Sequence, residues 1–501
     1  MPITITYTIW IDRNRNGLQT SGEIITSDVI ALKWRLGMTQ PYDTMAPPGW
    51  AEIILDARSG GYSGTNGAAL LGCCVTVLSN DGTTTRTHFV GFIDKIVPAA
   101  GDYGPRTTRL HAQTRDATLA DHTPAIVPTA LGEAETLIGY ALSKSGMPYR
   151  VTAGYSILND PGAVVGTAKL FADVEDYSAD VGLTTLAYGG AWSSSDSPRA
   201  NALIAEIVAS ERGRFFCGRD GTLYLFNRHA LLQTLSNAAT LTNDMADLTV
   251  SSGEDIINDI EIQVIPRRVG AQNSLLWTLD RSLQLAPGEL RHLQIPFHDE
   301  ETLLVGALPT LRCVLTVVDQ DGDDVTQSVS AWLNEITFTG ALLSLRHPYP
   351  NTITLISVMV YGTPLYRESP QTARVVDMPS VMQYGRRHRW LNLSALSTLE
   401  QAEDIARYEV SRRKTPRSHA STVTLSTQTH AQQVLACTLY DCLTISETQS
   451  LPVGKYMICA EEHHVQEGGA VHHVTWLLEP VDSDVFACVG GILDNAHLIA
   501  Y

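Results

Sequence analysis

The sequence predicts a mainly β protein with an α+β insert. Short alternating or β-branched runs, such as AEIILDA at 51–57 and IEIQVIP at 260–266, are separated by Gly, Pro, Asn and Asp, which is the pattern of strands and turns. Helical periodicity stands out in three segments only. A chain of 501 residues is too long for one hydrophobic core, so several domains are expected.

Residues 1–125 are predicted to form a β domain, and residues 126–245 a mixed α/β unit. In the first, Asn80 to Gly82 marks a hairpin turn. In the second, one apolar helical face runs through 131–146, and a second helix is predicted at 197–213, with Ser197 as its N-cap and a proline in its first turn. A hairpin with a turn at Asp-Gly follows that helix directly.

Strands resume after residue 245 and continue to the end of the chain. Residues 283–366 are all-β with polar turns and predict an inserted β-sandwich. This sandwich separates residues 246–282 from residues 367–501. The second of these segments contains the helix with the clearest sequence signals, at 397–414. There Ser397 and Glu400 form the pattern of a capping box, acidic residues crowd the start and basic residues the end.

Composition excludes several classes of protein. With 44% hydrophobic and 18% charged residues, the chain is typical of ordinary globular proteins. A formal charge of -18 argues against a surface that binds nucleic acid, because phosphate binding needs clustered Lys and Arg. The N-terminal run MPITITYTIW lacks the features of a secretion signal and predicts synthesis in a cytoplasm. Eight cysteines without a CxxC pair predict small buried side chains, not disulfides.

A candidate calcium loop lies in IDRNRNGLQTSGE. The residues Asp12, Asn14, Asn16, Gly17 and Glu23 occupy positions 1, 3, 5, 6 and 12 of the calcium-loop template, where converging oxygens would surround the ion. The segment before the loop alternates as a strand, not as the helix of an EF-hand. The alternative is a turn at the end of a strand, in which Asp and Asn side chains bond their own backbone.

The densest histidine group is EEHHVQEGGAVHH. It places His463, His464, His472 and His473 on the two arms of a hairpin that turns at 467–470. One histidine from each arm can meet across the ladder, either as two ligands of zinc or nickel or as an ordinary packed or hydrogen-bonded pair. The pattern favours the pair, because no third ligand is evident. The chain has no GxSxG, HExxH, GxGxxG or Walker motif, so no catalytic residues are assigned.

Several stretches, in order, resemble the baseplate or tail-tip hub proteins of tailed bacteriophages, a family of minor tail proteins. PSVMQYGRRH, with Ser380, Tyr384 and Gly385 at matching places before a long helix, is the most specific of them. PPGWAEIILDARSGGYSG resembles the family's early strand and the turn that follows it, and HFVGFIDKI resembles the next strand. IVASERGRFFCGRDGTLYLFNRH resembles its helix-hairpin unit, and the stretch that begins VHHVTWLLEP resembles its closing strand and C-terminal extension. The resemblance spans nearly the whole chain.

This resemblance implies two tube-like β-barrel hub domains, one at 1–125 and one divided between 246–282 and 367–501. It implies a homotrimeric ring at the distal end of the tail tube, in which three chains present six barrels, adapt a six-fold tube to a three-fold tip and pass DNA without binding it. The implied partners are a distal tail ring protein, the tape-measure protein and a tail fibre or central spike. The implied location is the virion tail tip or baseplate, after assembly in the host cytoplasm.

Such a protein is not an enzyme and needs no cofactor, although calcium remains the candidate ion for Asp12, Asn14, Asn16 and Glu23. Two alternatives belong to other classes. One is a tail-associated cell-wall hydrolase, which some hubs carry as a domain. The other is a calcium-dependent carbohydrate-binding adhesin, which would use the Asp12 loop and the sandwich.

Overall fold

The structure is a computed structural model of the chain. It describes the following residues: 5–58, 61–62, 64–99, 106–122, 132–144, 177–186, 199–228, 236–252, 256–298, 304–308, 310–334, 336, 339–348, 350–416, 418–449 and 453–481. Across these ranges, no helix has both the length and the apolar character that a membrane span requires.

Strands dominate, as predicted. In chain order they are β1 (Thr6–Asp12), β2 (Val29–Gly37), β3 (Trp50–Asp56), β4 (Cys74–Asn80), β5 (Thr85–Ala99), β6 (Thr107–Gln113), β7 (Tyr177–Ala179), β8 (Arg214–Cys217), β9 (Leu223–Phe226), β10 (Asn237–Leu241), β11 (Asp247–Ser252), β12 (Asp259–Val264), β13 (Arg267–Val269), β14 (Ser274–Thr278), β15 (Leu283–Leu285), β16 (Leu290–Pro296), β17 (Leu304–Ala307), β18 (Arg312–Val318), β19 (Ser330–Asn334), β20 (Gly340–Arg346), β21 (Ile353–Gly362), β22 (Pro364–Arg367), β23 (Gln371–Val376), β24 (His388–Asn392), β25 (Ser418–Ser426), β26 (Cys442–Ile445), β27 (Gly454–Gln466) and β28 (Val471–Pro480).

The helices match the three helical segments of the sequence and add short ones. They are α1 (Gly64–Ala68), α2 (Ala134–Lys144), α3 (Ala200–Glu211), α4 (Met378–Tyr384), α5 (Leu399–Arg413) and α6 (Thr427–Ala436). The predicted cap at Ser197 lies outside the described residues. The predicted cap of α5 was wrong by one residue: Thr398 is the N-cap, and its hydroxyl accepts a hydrogen bond from the Gln401 N–H at 3.3 Å.

One large sheet joins the two ends of the chain. It has 12 strands, with the main order β1-β4-β5-β6-β3-β2-β27-β28-β25-β11, while β26 pairs with β27 and β10 pairs with β26. Strands from 1–125 and from the C-terminal region therefore share one hydrogen-bonded surface. Within the described ranges no sheet closes on itself, so the closed hub barrels and the domain boundaries stay predictions.

The large sheet contains the same arrangement of strands twice. In the first module (β2, β3, α1, β4, β5, β6), antiparallel pairing runs β2-β3-β6-β5-β4. In the second module (β11, β25, α6, β26, β27, β28), it runs β11-β25-β28-β27-β26, also antiparallel. A helix stands between the second and third strand of each module. The two modules thus have one topology.

Local details of the two modules coincide as well. A register shift interrupts the β5–β6 ladder after Ile93 and the β27–β28 ladder after Ile458. Ile93 accepts a backbone hydrogen bond from Gly72 at 2.7 Å, and Ile458 accepts one from Tyr440 at 2.7 Å. Gly72 and Tyr440 both have a positive φ, 75° and 66°. Such a conformation is uncommon for a tyrosine, so its recurrence at the matching position supports the equivalence.

Two further cores lie beside the large sheet. Helices α2, α3 and α5 share one core with β8, β9, β12 and β23, so the α/β insert packs on the long helix. The sheets β14-β21-β15 with β18, and β16-β20-β19, contribute to a second core whose fully buried side chains include Leu285, Leu343 and Leu355. The region predicted as a sandwich therefore has two sheets around one core.

Candidate functional site

The two modules meet where β2 pairs with β27. This antiparallel ladder runs from Leu32 opposite Val465 to Gly37 opposite Ala460. Gly37 has φ +93°, and a Cβ there would lie 2.3 Å from the Cys459 carbonyl oxygen. Only glycine fits this close approach of two backbones. The pairing of β2 with β27 therefore depends on the absence of a side chain at Gly37, which lets the two backbones approach each other.

A buried polar cluster lies directly beneath this joint. The indole of Trp34 stacks on the imidazole of His463, with ring centroids 4.4 Å apart and planes 7° from parallel. His463 Nδ1 is hydrogen-bonded to His472 Nε2 at 2.8 Å, and His472 Nδ1 to the Tyr7 hydroxyl at 2.6 Å. The two arms of the histidine hairpin thus meet as the sequence predicts, as a hydrogen-bonded pair.

Burial keeps these imidazoles neutral. Desolvation lowers the pKa of His463 and holds the pKa of His472 and of His88 well below the usual range. His88 Nε2 lies 2.7 Å from the Ser79 hydroxyl, in the same interior. Since a neutral imidazole offers one donor and one acceptor, it can extend a hydrogen-bonded chain without burying a charge.

The positively charged side chain in this interior is that of Arg219, which is buried. It lies in the turn between β8 and β9, and its guanidinium donates to both Glu461 carboxylate oxygens at 2.7 and 2.6 Å. It also donates to the Leu435 and Cys437 carbonyls at 3.0 and 2.7 Å. Although burial raises the pKa of Glu461, the charge of Arg219 outweighs it, and the result is about 2. One side chain of the insert thus binds two elements of the second module.

A second buried ion cluster joins the long helix to the sheet. Glu479 on β28 lies 3.1 Å from both Arg214 of β8 and Arg412 of α5. Glu479 also accepts hydrogen bonds from the backbone N–H of Tyr42 at 2.9 Å and from the Cys459 thiol at 3.6 Å. Burial raises the pKa of Glu479, but the two guanidinium groups lower it to about 2. Insert, helix and sheet are therefore held in one relative position by ionised groups shielded from water.

The stretch PSVMQYGRRH folds around a buried asparagine. The side chain of Asn258, which is fully buried, donates to the Ser380 hydroxyl at 3.1 Å and to the Gly385 carbonyl at 2.9 Å. Its carbonyl accepts the N–H of Arg387 at 2.7 Å. The Ser380 hydroxyl and the Gly385 carbonyl thus satisfy a polar side chain that water cannot reach, and Gly385 has a positive φ of 76°, which favours glycine.

The Asp12 loop is closed by its own backbone. Asp12 accepts the N–H groups of Asn16 and Gly17 at 3.0 and 2.8 Å, and Glu23 accepts those of Arg13 at 3.0 Å and Thr20 at 3.1 Å. The side chains of Asn14 and Asn16 each accept an N–H two residues ahead. This is the predicted turn that bonds its own backbone. Calcium binding by Asp12, Asn14, Asn16 and Glu23 stays a prediction.

What these groups can do chemically is limited. The part of the chain that the structure describes contains no group of three or more His, Cys, Asp or Glu side chains placed to hold a metal ion. In this interior, His463, His472 and His88 are hydrogen-bonded to each other, to tyrosine or to serine, and Glu461 and Glu479 are paired with arginine. The arrangement is suited to fixing the relative positions of elements.

Sequence reasoning missed Arg219, Glu461, Glu479, Arg214 and Arg412. An indication was present for Glu461 alone, which shares its face of β27 with the buried His463 and Val465. No pattern in the sequence pairs Glu461 with Arg219, which lies more than 200 residues away.

No family model matches this chain, and no curated protein matches it in sequence. Solved structures are similar to this chain in fold. The tail protein from Neisseria meningitidis MC58 is similar with a TM-score of 0.50 at 7% identity, over 95% of this chain and 96% of that one. The 43 kDa tail protein of prophage MuSo2 from Shewanella oneidensis has a TM-score of 0.47 at 10% identity, over 94% and 98% of the two chains.

The prophage tail protein gp18 from Listeria monocytogenes EGD-e has a TM-score of 0.39 at 9% identity, with 94% of each chain covered. At such low identity a likeness concerns the fold alone. The fold of the Neisseria tail protein extends over nearly the whole of this chain. The resemblance to phage tail proteins that the sequence indicates is thereby confirmed at the level of the fold.

Proposed function

We propose that this chain is a structural protein of a bacteriophage tail and that three copies form a ring at the distal end of the tail tube. The observation that carries the proposal is the doubled module. Two modules of one topology share a single sheet in each chain, so three chains present six equivalent units. A ring of this kind matches a six-fold tube on one side and a three-fold tip on the other.

The likeness in fold to a tail protein supports this role over the alternatives. In the ring, the chain would contact a distal tail ring protein, the tape-measure protein and a fibre or central spike, at the tip or baseplate of the virion. It acts as a scaffold and not as an enzyme. The buried ion clusters support a scaffold, since they hold insert, long helix and sheet in fixed positions.

The net charge supports passage of DNA through the ring. Each contact between a phosphate and a cationic side chain adds affinity, and such contacts would accumulate along a duplex. A chain with a formal charge of -18 repels phosphate on average. DNA would therefore pass without being held.

The proposal is tested by the mass and shape of the purified protein. Light scattering is expected to give a mass near three times 54.5 kDa, and negative-stain class averages are expected to show three-fold rings with a central hole. A stable monomer at micromolar concentration, or a solid particle without a hole, would contradict it. Cleared zones in a peptidoglycan zymogram would favour the hydrolase instead.

A further inference from the structure

The strand β24 lies at the end of a small sheet. The strand order of this sheet is β23-β12-β24, and β24 pairs in parallel with β12, from His388 opposite Asp259 to Asn392 opposite Gln263. The other edge of β24 has no strand partner among the residues that the structure describes. The backbone N–H and C=O groups along that edge are the kind of template to which another strand adds.

The side chains at the start of β24 are cationic and exposed. Arg386, Arg387, His388 and Arg389 follow one another and are all exposed, and the next residue, Trp390, is 52% exposed. In the chain as a whole, 53 Asp and Glu outnumber 35 Lys and Arg. This run of cations is therefore opposite in sign to the protein that carries it.

Ion pairs within the sheet use part of this charge. The carboxylate of Asp259 lies 2.7 Å from Arg374 and 3.2 Å from Arg386, and Glu261 lies 3.7 Å from His388. The described part of the chain offers no carboxylate partner to Arg387 or Arg389. Two guanidinium groups at the edge of the sheet thus remain to bind an anion.

The backbone that carries these two arginines is held in place from below. The carbonyl of Arg387 accepts hydrogen bonds from the N–H groups of Asn258 and Asp259 at 3.2 and 3.3 Å. Ile260, which lies opposite Arg389 in the ladder, is fully buried. Since this backbone is already ordered, a partner that adds to it loses little free energy in fixing it.

The spacing of the two arginines indicates the chemistry of a partner. Side chains two positions apart in a strand share a face and lie about 6.6 Å apart. An added strand has the same repeat, so carboxylates at alternate positions of it would meet Arg387 and Arg389. Trp390 belongs to the other face, where its ring offers apolar surface to the residues between those carboxylates.

We propose that an acidic, extended segment of a partner protein adds to the free edge of β24, with carboxylates at alternate positions bound by Arg387 and Arg389. In this mode the backbone supplies affinity and the alternate side chains supply specificity. The partner is a protein other than this chain, and the proposal holds whether or not the chain forms a ring.

The range of the electrostatic attraction favours a short acidic segment over nucleic acid. The two guanidinium groups act over about 10 Å at 0.1 M salt, a distance that a short segment does not exceed. A long polyanion extends beyond it and meets the repulsion of a chain with a formal charge of -18. Oligothymidine is therefore expected to bind more weakly than an acidic peptide.

The proposal is tested by fluorescence anisotropy of labelled peptides with the full chain. A decapeptide in which Glu and Thr alternate is expected to bind, and its affinity is expected to fall at least tenfold between about 50 and 500 mM salt. A peptide of the same composition with all Glu residues in one block is expected to bind at least tenfold more weakly. Equal affinity for the two peptides, or tighter binding of oligothymidine, would overturn the proposal.

Variants place the binding at β24. Arg387→Glu with Arg389→Glu is expected to lower the affinity for the alternating peptide at least tenfold, while Arg387→Lys with Arg389→Lys keeps most of it. The matched control, Arg106→Glu with Arg281→Glu, reverses two charges that are exposed elsewhere and is expected to bind as the wild type does. Unchanged affinity in the charge-reversed variant would overturn the proposal.

A second readout does not require the charge-reversed variant to fold. Trp390→Phe is expected to abolish the change in tryptophan emission that the alternating peptide causes in the wild type, with its melting temperature unchanged. An emission change that persists in Trp390→Phe would place the peptide elsewhere and overturn the proposal. The native mass of the wild-type chain is measured separately, so failure of the ring and failure of this contact are distinguished.

Discussion

Removing the positive charge from the buried Arg219–Glu461 pair tests whether the α/β insert is held to the sheet as the structure indicates. Arg219→Leu leaves Glu461, which is fully buried, without the guanidinium that donates to it at 2.6 and 2.7 Å. Breaking a buried pair from one side typically costs about 3–5 kcal/mol, because a charge remains without compensation. We expect the free energy of unfolding to fall by that amount at pH 7.

The magnitude agrees with the acidity of Glu461. Its pKa is held at about 2, compared with an ordinary value of 4.5. One pKa unit of difference between the folded and unfolded states is worth about 1.4 kcal/mol, so the ionised group contributes about 3 kcal/mol. Because the folded pKa is lowered, this contribution is present above the unfolded value of 4.5 and is lost as the pH falls toward 2.

Urea denaturation followed by tryptophan fluorescence measures the effect, since Trp34 and Trp476 are fully buried in the sheet. The double variant Arg219→Leu with Glu461→Leu is expected to recover at least half of the loss, because it removes the lone charge. The control is Arg407→Leu, whose exposed pair with Glu403 at 3.1 Å is worth less than about 1 kcal/mol. A loss below 1 kcal/mol in Arg219→Leu, or a double variant no more stable than the single one, would refute the reasoning.

Two further predictions concern other buried polar groups. Because burial holds the pKa of His88 well below 6.5, the unfolded chain binds the proton first, and stability is expected to fall as the pH drops below 6.5, by up to about 1.4 kcal/mol per pH unit for this group. His88→Gln should make the measured slope shallower, and an unchanged slope would exclude His88 as its source. Asp12→Ala is expected to lower the melting temperature in chelator, because two backbone N–H groups lose their acceptor. Calcium is predicted to raise the melting temperature of the wild type and not of Asp12→Ala; equal curves with and without chelator would remove calcium from the Asp12 loop.

Much of the local structure could be predicted because interactions between residues close in the chain determine turns, hairpins and helices. The Asp-Gly turn at 220–221 connects β8 and β9, and the Gly-rich turn at 467–469 places His464 opposite His473. Helices α2, α3 and α5 follow from their apolar periodicity. The cap of α5 was displaced by one residue, to Thr398, because Ser and Thr in succession compete for the same role and Ser397 instead donates to the side chain of Gln401.

The candidate site could be predicted only in part. The meeting of the two histidine arms follows from hairpin register, whereas two partners of His463, the Trp34 ring and the Arg219 guanidinium, come from elements distant in the chain. Burial of a charged side chain depends on which partner reaches it, and no local pattern records that partner. Arg219 illustrates this, since a hairpin-turn arginine is ordinarily solvated.

By itself, the sequence determined most of the strands and turns and the helices α2, α3 and α5, because alternation, periodicity, caps and turn residues act over a few neighbouring positions; it did not predict α1, α4 and α6. Only the tertiary structure decided that β2 adds to β27 and that two modules repeat one topology. Edge pairing uses backbone N–H and C=O groups, which every residue except proline carries in the same form. Side chains therefore leave almost no record of which edges meet, apart from permissive residues such as Gly37.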